Sequence, residues 1–492
     1  MKNKGSITIY ICLTMILILS LITTGIRSAV VANARVAMVS SMDLGLYSLF
    51  GQYDRDFLEQ YGLLFVDGGY KSADLQMGRI YQELKEDVEY NLFAESFANG
   101  RRPWVETGAI KGYSLATDGQ GSVFKGQVVS YMQETIGAQG IALLMEKVAQ
   151  EGALVQQQES DKEQSSSGGD IEDYEAAKKE YETIQAEAMA QGEDDGIEPG
   201  TQVAEVDPGF KNPIEVIKVM KELGTLNLVL PNIEAVSKKT IDIGAYASQR
   251  TLQQGMGVIP VSGDTQGAVA EFLFQEYMIG KCSSYLSPAP SMALEYQLEY
   301  LLMGKDSDLE NLKGVANRLL LMREAANFLY IMADSSKRAQ VSGMAATIAT
   351  SLGIPLATPV IEIVLMSVWA FGESIIDVRA LLRGEKVPLV KNVTSWQLAL
   401  DNLANLPELL NGELGSQSQG LDYKEYLRIL LTLKSGEEKL ARAMDVVEMT
   451  MQSKRGREEF RLDSCLYSLE VNMQMGILTN VYDAQRSYGY DM

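Results

Sequence analysis

The apolar positions of the chain form one long run near the N-terminus, and shorter periodic repeats follow it. From Ser6 to Ile26 the sequence SITIYICLTMILILSLITTGI contains no charged residue. About twenty such residues, rising 1.5 Å each, cross a hydrocarbon core of roughly 30 Å. The run exceeds the roughly 7–15 apolar residues of a cleavable signal peptide, and no A-x-A site closes it. The pattern predicts a membrane anchor at residues 1–27, with a buried core helix as the alternative.

The helical pattern continues beyond this run. Between Ser28 and Phe50 the sequence has no proline, and small and apolar residues recur at helical spacing. We therefore expect one helix from about Ser6 to about Phe50, whose second half packs an alanine-lined face onto the folded domain. Lys2 and Lys4 precede the apolar run, which favours a cytoplasmic N-terminus and a large extracytoplasmic C-terminal part in a single-pass cell-membrane protein.

Shorter periodic stretches predict the remaining elements. Strands are predicted at Gln60–Asp67, 104–118, Ser291–Met303 and Leu466–Met475, where alternating apolar residues share one face. Helices are predicted at 73–94, 122–151, 212–223, 234–254, 266–281, 306–336, 340–352, 358–383, 396–411, 422–434 and 436–455. The predicted fold class is α+β and mainly helical: a long N-terminal membrane-anchored helix, then an extracytoplasmic domain with a small mixed sheet.

A change in composition divides the chain. Residues 152–209 are acidic and rich in glycine, serine and glutamine, a composition that cannot bury enough apolar surface to order itself. We interpret them as a disordered surface insertion or a linker. Residues 28–151 then form the helical rod and the first part of the α+β domain. Residues 210–492 form its mainly helical remainder, with a C-terminal strand.

The segment Ile354–Gly372 is apolar enough to be a second membrane helix. Pro355 and Pro359 lie near its start and Glu362 lies within it, and a carboxylate in lipid costs several kcal/mol. The apolar pattern also continues past Gly372 in amphipathic form. These features favour a central buried helix of the folded domain.

Charge and composition exclude several function classes. The formal net charge is −22 in 492 residues, which disfavours nucleic acid as a partner because phosphates would be repelled. The chain has no histidine, so Ser-His-Asp and Cys-His catalysis and the HExxH zinc site are all excluded. Cys282 and Cys465 are the cysteines outside the anchor, and either a disulfide or two separate buried thiols fits them.

Local motifs give no catalytic, cofactor-binding or metal-binding residue. Asp306, Asp308 and Glu310 alternate as at the start of a calcium loop, but Asn311 replaces the glycine at the sixth position. A helix N-terminus capped by Asp306 or Ser307 explains them better. We expect no cofactor.

Two further sets of charged residues fit helix surfaces. Arg318, Arg323 and Glu324 are interpreted as a solvated or interface face of a helix. Arg379 and Arg383 lie four apart, so they either bind an anion or mark the polar side of their helix.

The stretch GSITIYICLTMILILSLI, with RSAVVANARVAMVSSMDLGLYSLFGQYDRDFLEQYGLLFVD after it, resembles an uncharacterised bacterial family of pilin-like (TadE/TadG-like) envelope proteins associated with Tad-type pilus or secretion loci. Two later stretches, GKDSDLENLKGVANRLLLMREAANFLYIMADSSKR and PVIEIVLMSVWAFGESIIDVRALLRGEKVPLVK, resemble it as well. The resemblance implies an envelope location but no reaction. A prepilin would be cut after Gly5 and would carry glutamate five places on, where this chain has Tyr10.

The favoured hypothesis is a non-enzymatic, pilin-like structural or assembly component of a Tad-type apparatus. Its partners would be other pilin-like or Tad secretion-apparatus membrane proteins, within the membrane. Because helix packing in lipid prefers small residues, Gly25, Ser28, Ala29 and Ala32 are the candidate interface. The alternatives are a membrane-anchored cell-wall enzyme that uses a carboxylate pair, and an extracellular ligand-binding module.

Overall fold

The computed structural model describes residues 4–94, 103–165, 211–257, 265–412, 419–477 and 479–490, with scattered positions between 172 and 183. The chain divides into two compact units: unit 1 comprises residues 1–135, 244–274 and 443–492, and unit 2 comprises residues 136–243 and 275–442. The described residues are mainly helical and include one small sheet, so the predicted α+β class is confirmed.

The α-helices, in chain order, are α1 (Lys4–Phe50), α2 (Arg55–Tyr61), α3 (Met77–Ala94), α4 (Asp118–Ile136), α5 (Ala138–Ser165), α6 (Pro213–Glu222), α7 (Thr225–Val229), α8 (Ala268–Lys281), α9 (Gln297–Met303), α10 (Asp308–Ala333), α11 (Ser335–Ser351), α12 (Thr358–Leu382), α13 (Leu406–Leu410), α14 (Tyr423–Thr432) and α15 (Gly436–Gln452). The strands are β1 (Val66–Asp67), β2 (Trp104–Leu115), β3 (Cys465–Ile477) and β4 (Asn480–Gly489). Local sequence sets several boundaries. Asp54 and Ser307 cap α2 and α10, and Asp422 with Glu425 forms a capping box at α14.

The sheet belongs to unit 1, and β3 is its central strand. It pairs with β2 on one side and with β1 and β4 on the other, and every pairing is antiparallel. The prediction of a mixed sheet was therefore wrong, because no βαβ crossover joins these strands. The alternation in β3 is confirmed, since Leu469, Val471, Met473 and Met475 are each 0% exposed.

Two predicted strands were wrong in whole or in part. Gln60–Asp67 is a strand only at β1, because Gln60 and Tyr61 are the last residues of α2 and Gly62, with φ +73°, is its C-cap. Ser291–Met303 ends in α9, where Leu298, Leu301 and Leu302 are all buried. A short helix that is buried on nearly every side, including its polar residues Gln297 and Glu299, has no periodicity that distinguishes it from a strand.

The helix predicted at 234–254 was also wrong. The described backbone there contains two 3₁₀ turns, at Ile233–Ala235 and Ile243–Ala245, with extended residues between them. Tertiary pairing replaces the helical bonds: the N–H of Ile241 donates to the carbonyl of Asp306, and the N–H of Asp308 donates to the carbonyl of Lys239. Residues 152–165 of the proposed insertion belong to α5, and most of the rest of 152–209 lies outside the described residues.

Unit 2 is built around α12. From Val368 to Leu382 every residue of this helix is buried, and α10, α11, α6 and α7 pack against it. From Val368 onwards its apolar residues therefore pack against protein on all sides, whereas Val360, Ile363 and Met366 in its first half are partly exposed. The burial of most of the helix agrees with the predicted central helix.

Candidate functional site

The first half of α1 exposes a continuous apolar surface. Its large apolar side chains from Ile7 to Ile26 are 51–71% exposed. By length and composition, Ile7–Phe50 and Pro355–Leu382 are the described helices able to cross a membrane. In the first helix, none of the most apolar 18-residue stretch is buried. In the second helix, 67% of the most apolar 18-residue stretch is buried. The apolar surface of α1 is long enough to anchor the protein in a membrane.

The second half of α1 packs against unit 1. Ala34 and Met42 are 0% exposed and Met38 is 2% exposed, as expected for one face of a helix. At Gly45 the helix approaches α3 so closely that an added Cβ would lie 2.8 Å from a methyl group of Val88. The predicted packing of this half of the helix on the folded domain is confirmed.

The strand β4 runs beside this half of α1 in the same direction. Contacts follow one another in the same order along both elements: Arg27 with Thr479, Arg35 with Tyr482, Asp43 with Arg486, and Phe50 with Tyr490. The 23 residue steps from Arg27 to Phe50 rise about 35 Å as a helix, and the 11 steps from Thr479 to Tyr490 span about 36 Å as a strand. The matched lengths let the hairpin of β3 and β4 support the helix along its whole second half.

The sequence analysis missed β4, and with it Arg486 and Tyr490. The strand NVYDAQRSYG is mostly polar, so it carries no alternation of apolar and polar residues. The available signal was aromatic: Tyr482, Tyr488 and Tyr490 occupy even positions and share the period of a strand.

The predicted small-residue interface lies on the free surface of α1. Gly25, Ser28, Ala29 and Ala32 are all exposed, and nothing within 4 Å would contact a side chain added at Gly25. At 3.6 residues per turn these positions lie within roughly 100° of one another, on the side opposite the buried Ala34. They are accessible to another helix. Gly5, the proposed cleavage position, lies in the first turn of α1.

A buried network of charged residues occupies the core of unit 2. Arg323, Glu373 and Asp377 are 0% exposed and Lys391 is 3% exposed. Lys391 Nζ donates to Asp377 Oδ1 at 2.6 Å and to Glu373 Oε1 at 2.7 Å, while Arg323 Nε donates to Asp377 Oδ2 at 3.1 Å. Burial opposes ionisation of Asp377, but Lys391 and Arg323 hold its pKa below the ordinary value.

Each carboxylate in this network has further hydrogen-bond donors. Asn327 Nδ2 donates to Asp377 at 3.0 Å, and the backbone N–H groups of Gln397 and Leu398 donate to Glu373. These hydrogen bonds join α10, α12 and the loop at 391–398. Of the residues interpreted as a solvated or interface face, Arg323 is not solvated but faces α12, Glu324 is only 9% exposed, and Arg318 is partly exposed.

Two other charged candidates have structural roles. Arg379 donates to the carbonyl groups of Leu228 and Leu410, at 3.1 and 2.6 Å, and so binds the C-terminal ends of α7 and α13. Asp308, from the calcium-like stretch, is 0% exposed and accepts the N–H groups of Glu295 and Tyr296. Ser307 is the N-cap, as predicted.

The two cysteines outside the anchor are free thiols. Cys465 is buried at the start of β3, and Cys282 is partly exposed. Burial raises the pKa of Cys282 to about 12, so the thiol stays protonated at neutral pH. Neither residue has the lowered pKa that a reactive thiol requires.

Comparison with known proteins assigns a family. A family model matches residues 204–477, which is more than half of the chain. The chain belongs to DUF5702, a family of unknown function. No curated protein and no solved structure matches the chain.

The part matched to DUF5702 contains the buried charges of unit 2 and the central strand of the sheet. It begins before α6 and ends with Ile477, the last residue of β3. The helix α1 and the strands β1, β2 and β4 lie outside the matched residues. The DUF5702 match therefore covers most of unit 2 and the central strand of the sheet, and it does not extend to α1.

Proposed function

We propose that this protein is a membrane-anchored, non-enzymatic envelope protein that acts as a structural or assembly component through its N-terminal helix. The observation that carries the proposal is the division of α1 into two halves. The first half exposes an apolar surface from Ile7 to Ile26, and the second half is fixed to unit 1. A partner that packs on the first half is thereby connected to the folded domain without a flexible joint.

The exposed small residues support lateral packing of this helix. In lipid the hydrophobic effect does not drive helices together. Close approach of the backbones at small residues therefore contributes much of the packing energy. Gly25 at the end of the apolar half, with Ser28, Ala29 and Ala32 directly after it, provides such a surface at the edge of the proposed span. The proposed partners are other pilin-like membrane proteins.

The assignment to a Tad-type pilus or secretion apparatus rests on sequence resemblance alone. The resembling stretches include α1 and its continuation through Asp67, and two segments that overlap α10 and α12. In the proposed arrangement the N-terminus is cytoplasmic, and unit 2 and the part of unit 1 beyond the anchor are extracytoplasmic. Processing after Gly5 belongs to the same proposal.

The interface is tested by recovery of complexes from native membranes. Full-length tagged protein carrying Ala29→Leu and Ala32→Leu should lose its co-purifying membrane proteins, because the added side chains hold a neighbouring helix away. The matched control is Ala346→Leu, an alanine exposed on α11 outside the anchor. Recovery of the same complexes from the double variant and from the control would refute packing through this face.

Topology is tested separately by protease treatment of wall-stripped intact cells. One tag is inserted within residues 152–209 and a second follows Met492. Digestion of both tags agrees with an outside location for both units. Protection of the C-terminal tag alone would contradict the single-pass arrangement and indicate a second span.

The carboxylate-pair enzyme has weaker support. Burial raises the pKa of Glu299 to about 7, but this side chain is 0% exposed and its Oε1 accepts the hydroxyl of Tyr423 and the N–H of Tyr285. Glu299 belongs to unit 2, whereas the pocket found in unit 1 has Asp118 as its acidic lining residue among those described. Burial also raises the pKa of Glu448 in unit 1 to about 7, but this carboxylate pairs with Arg250 and is not among the described lining residues of the pocket. Neither Glu299 nor Glu448 therefore belongs to the pocket.

A further inference from the structure

The end of the sheet nearest to the apolar half of α1 exposes an aromatic and apolar surface. The strands β2 and β4 both run antiparallel to β3, so they begin at the same end of the sheet. There Trp104 and Val481 both pair with Gly476, and the three residues form one row across the strands. Trp104 is 46% exposed and Val481 is 48% exposed. We call this row the sheet tip.

Gly476 makes room for the indole ring of Trp104. A Cβ at this position would overlap the ring atoms Cζ2 and Cε2. The neighbours of Gly476 in β3, Met475 and Ile477, are 0% exposed, and side chains alternate between the faces of a strand. The indole therefore packs on the opposite face of the sheet from these buried side chains, with nearly half of its surface accessible.

The contacts of β4 with α1 place the sheet tip relative to the anchor. Arg27 is the first residue after the apolar run Ser6–Ile26, and its Nη2 donates to the hydroxyl of Thr479 at 2.9 Å. Val481 lies two residues further along β4, a distance of about 7 Å. The headgroup layer extends roughly 5–7 Å beyond each side of the hydrocarbon core. With Ile26 at the hydrocarbon boundary, the sheet tip lies at the level of the headgroups.

The charged residues near the tip fit such a position. Glu106 and Asp483 are exposed and lie two residues beyond Trp104 and Val481, in the direction that leads away from the apolar half of α1. A carboxylate is costly inside the membrane, and these two lie beyond the row that reaches the headgroup layer. The row itself carries no charge, so a contact through it does not require anionic lipid.

We propose that the sheet tip is a second membrane contact, in which Trp104 and Val481 enter the headgroup layer of the bilayer that holds α1. The inference rests on the proposed membrane anchoring of α1. Tryptophan concentrates in this layer because its ring combines an apolar body with an N–H donor. A lone helix can tilt in any direction, whereas a contact to one side of α1 selects the direction that keeps the tip among the headgroups.

Quenching of tryptophan fluorescence by brominated phosphatidylcholine tests the contact. The full-length protein is reconstituted into nanodiscs of the brominated lipid or of its unbrominated parent. Bromine quenches indoles that touch the lipid, and the other tryptophans, Trp369 and Trp396, belong to unit 2. Trp104→Phe should reduce the quenched fluorescence at least twofold, whereas the control Trp396→Phe should not reduce it. Absence of quenching in the wild type, or equal quenching in Trp104→Phe, would overturn the proposal.

A carboxylate introduced at the tip gives an independent test. Val481→Asp should reduce the quenching of Trp104 at least twofold, because the charge is unfavourable next to lipid. The matched control is Ala109→Asp, at an exposed position on the same face of β2, five residues beyond Trp104. This control should keep the wild-type quenching, and equal quenching in the two variants would overturn the proposal. Where Val481→Asp lowers the melting temperature in detergent, Val481→Ser makes the same comparison without a charge.

Alkaline carbonate extraction of native membranes separates this contact from the anchor on which it rests. A membrane-spanning helix keeps both the wild type and Trp104→Phe in the membrane pellet. Retention in the pellet without lipid quenching of Trp104 would refute the tip contact and leave the anchor in place. Release of the wild type by carbonate would refute both.

Discussion

Arg486 of β4 binds Asp43 of α1 through two hydrogen bonds, with Nε 2.5 Å from Oδ1 and Nη2 2.8 Å from Oδ2. The pair joins residues 443 positions apart in the chain. Both side chains are more than 40% exposed, so solvent screens their attraction. Its main effect is to set the register between the helix and the strand.

We predict a small energetic effect for this pair. In a double-mutant cycle of Asp43→Asn and Arg486→Gln, the coupling free energy should be about 0.2–1 kcal/mol and should decrease as salt is added. Chemical denaturation of the full chain at low and high ionic strength measures it. A coupling above this range that does not respond to salt would contradict a screened surface pair.

Neighbouring alanines of α1 should respond differently to the same substitution. Ala34 is 0% exposed, so Ala34→Leu should reduce the free energy of unfolding by about 1–3 kcal/mol through overpacking. Ala32 is exposed, and Ala32→Leu should change it by no more than about 0.5 kcal/mol. Thermal unfolding in detergent compares the two variants. Equal effects would mean that α1 does not pack on unit 1 as described.

Removal of Lys391 should destabilise unit 2. Lys391→Met leaves the carboxylates of Glu373 and Asp377 buried without their shared cation, which costs about 3–5 kcal/mol. Lys313→Met is the control, because Lys313 pairs with Glu310 at the surface and should contribute less than about 1 kcal/mol. Trp369 lies in the same helix as both carboxylates, so its fluorescence reports the unfolding of this region. Equal stability of the two variants would contradict the role of the network.

Glu299 should make stability depend on pH. Burial raises its pKa from an ordinary value of 4.5 to about 7, so the fold favours the protonated form. This contribution is complete below about pH 4.5 and is lost as pH rises through about 7, a total of about 3 kcal/mol. Between pH 5 and 8, the free energy of unfolding measured by chemical denaturation should therefore change less with pH for Glu299→Gln than for the wild type. The same dependence of stability on pH in the variant would exclude this carboxyl group as its source. The control is Glu310→Gln at an exposed position, which should keep the pH dependence of the wild type.

The elements that the sequence predicts well are those whose residue pattern directly reflects their surroundings. The buried run of α12 and the alternation at Leu469–Met475 have the pattern that burial within the protein requires, and the exposed apolar run of α1 has the length and composition of a membrane-spanning segment. The positions Gly25, Ser28, Ala29 and Ala32 lie on an exposed side of α1, and their role as a helix-packing interface stays a prediction.

Other features depend on contacts between distant residues. The strand β4 packs beside α1 through polar and aromatic side chains, so its sequence resembles that of a loop. Arg323 resembles a surface residue until Asp377 and Lys391 are placed beside it. The pocket depends on the hydrogen bond from the N–H of Gly255 to Asp118, which lies 137 residues earlier in the chain. The Asp-Gly pair at 118–119 indicates a turn there, but it does not indicate what faces that turn.

The continuity of α1 has a mechanical consequence. With 47 residues and no proline, the helix is about 70 Å long. The strand β4 packs along its second half, which follows the apolar run. Because α1 is one continuous helix, a tilt or rotation of its first half moves the rest of unit 1 with it. A tilt of about 20°, typical of transmembrane helices, displaces Phe50 sideways by roughly 12 Å relative to Arg27. In the proposed membrane arrangement, the tilt of the first half of α1 therefore sets the direction in which the folded part of unit 1 points.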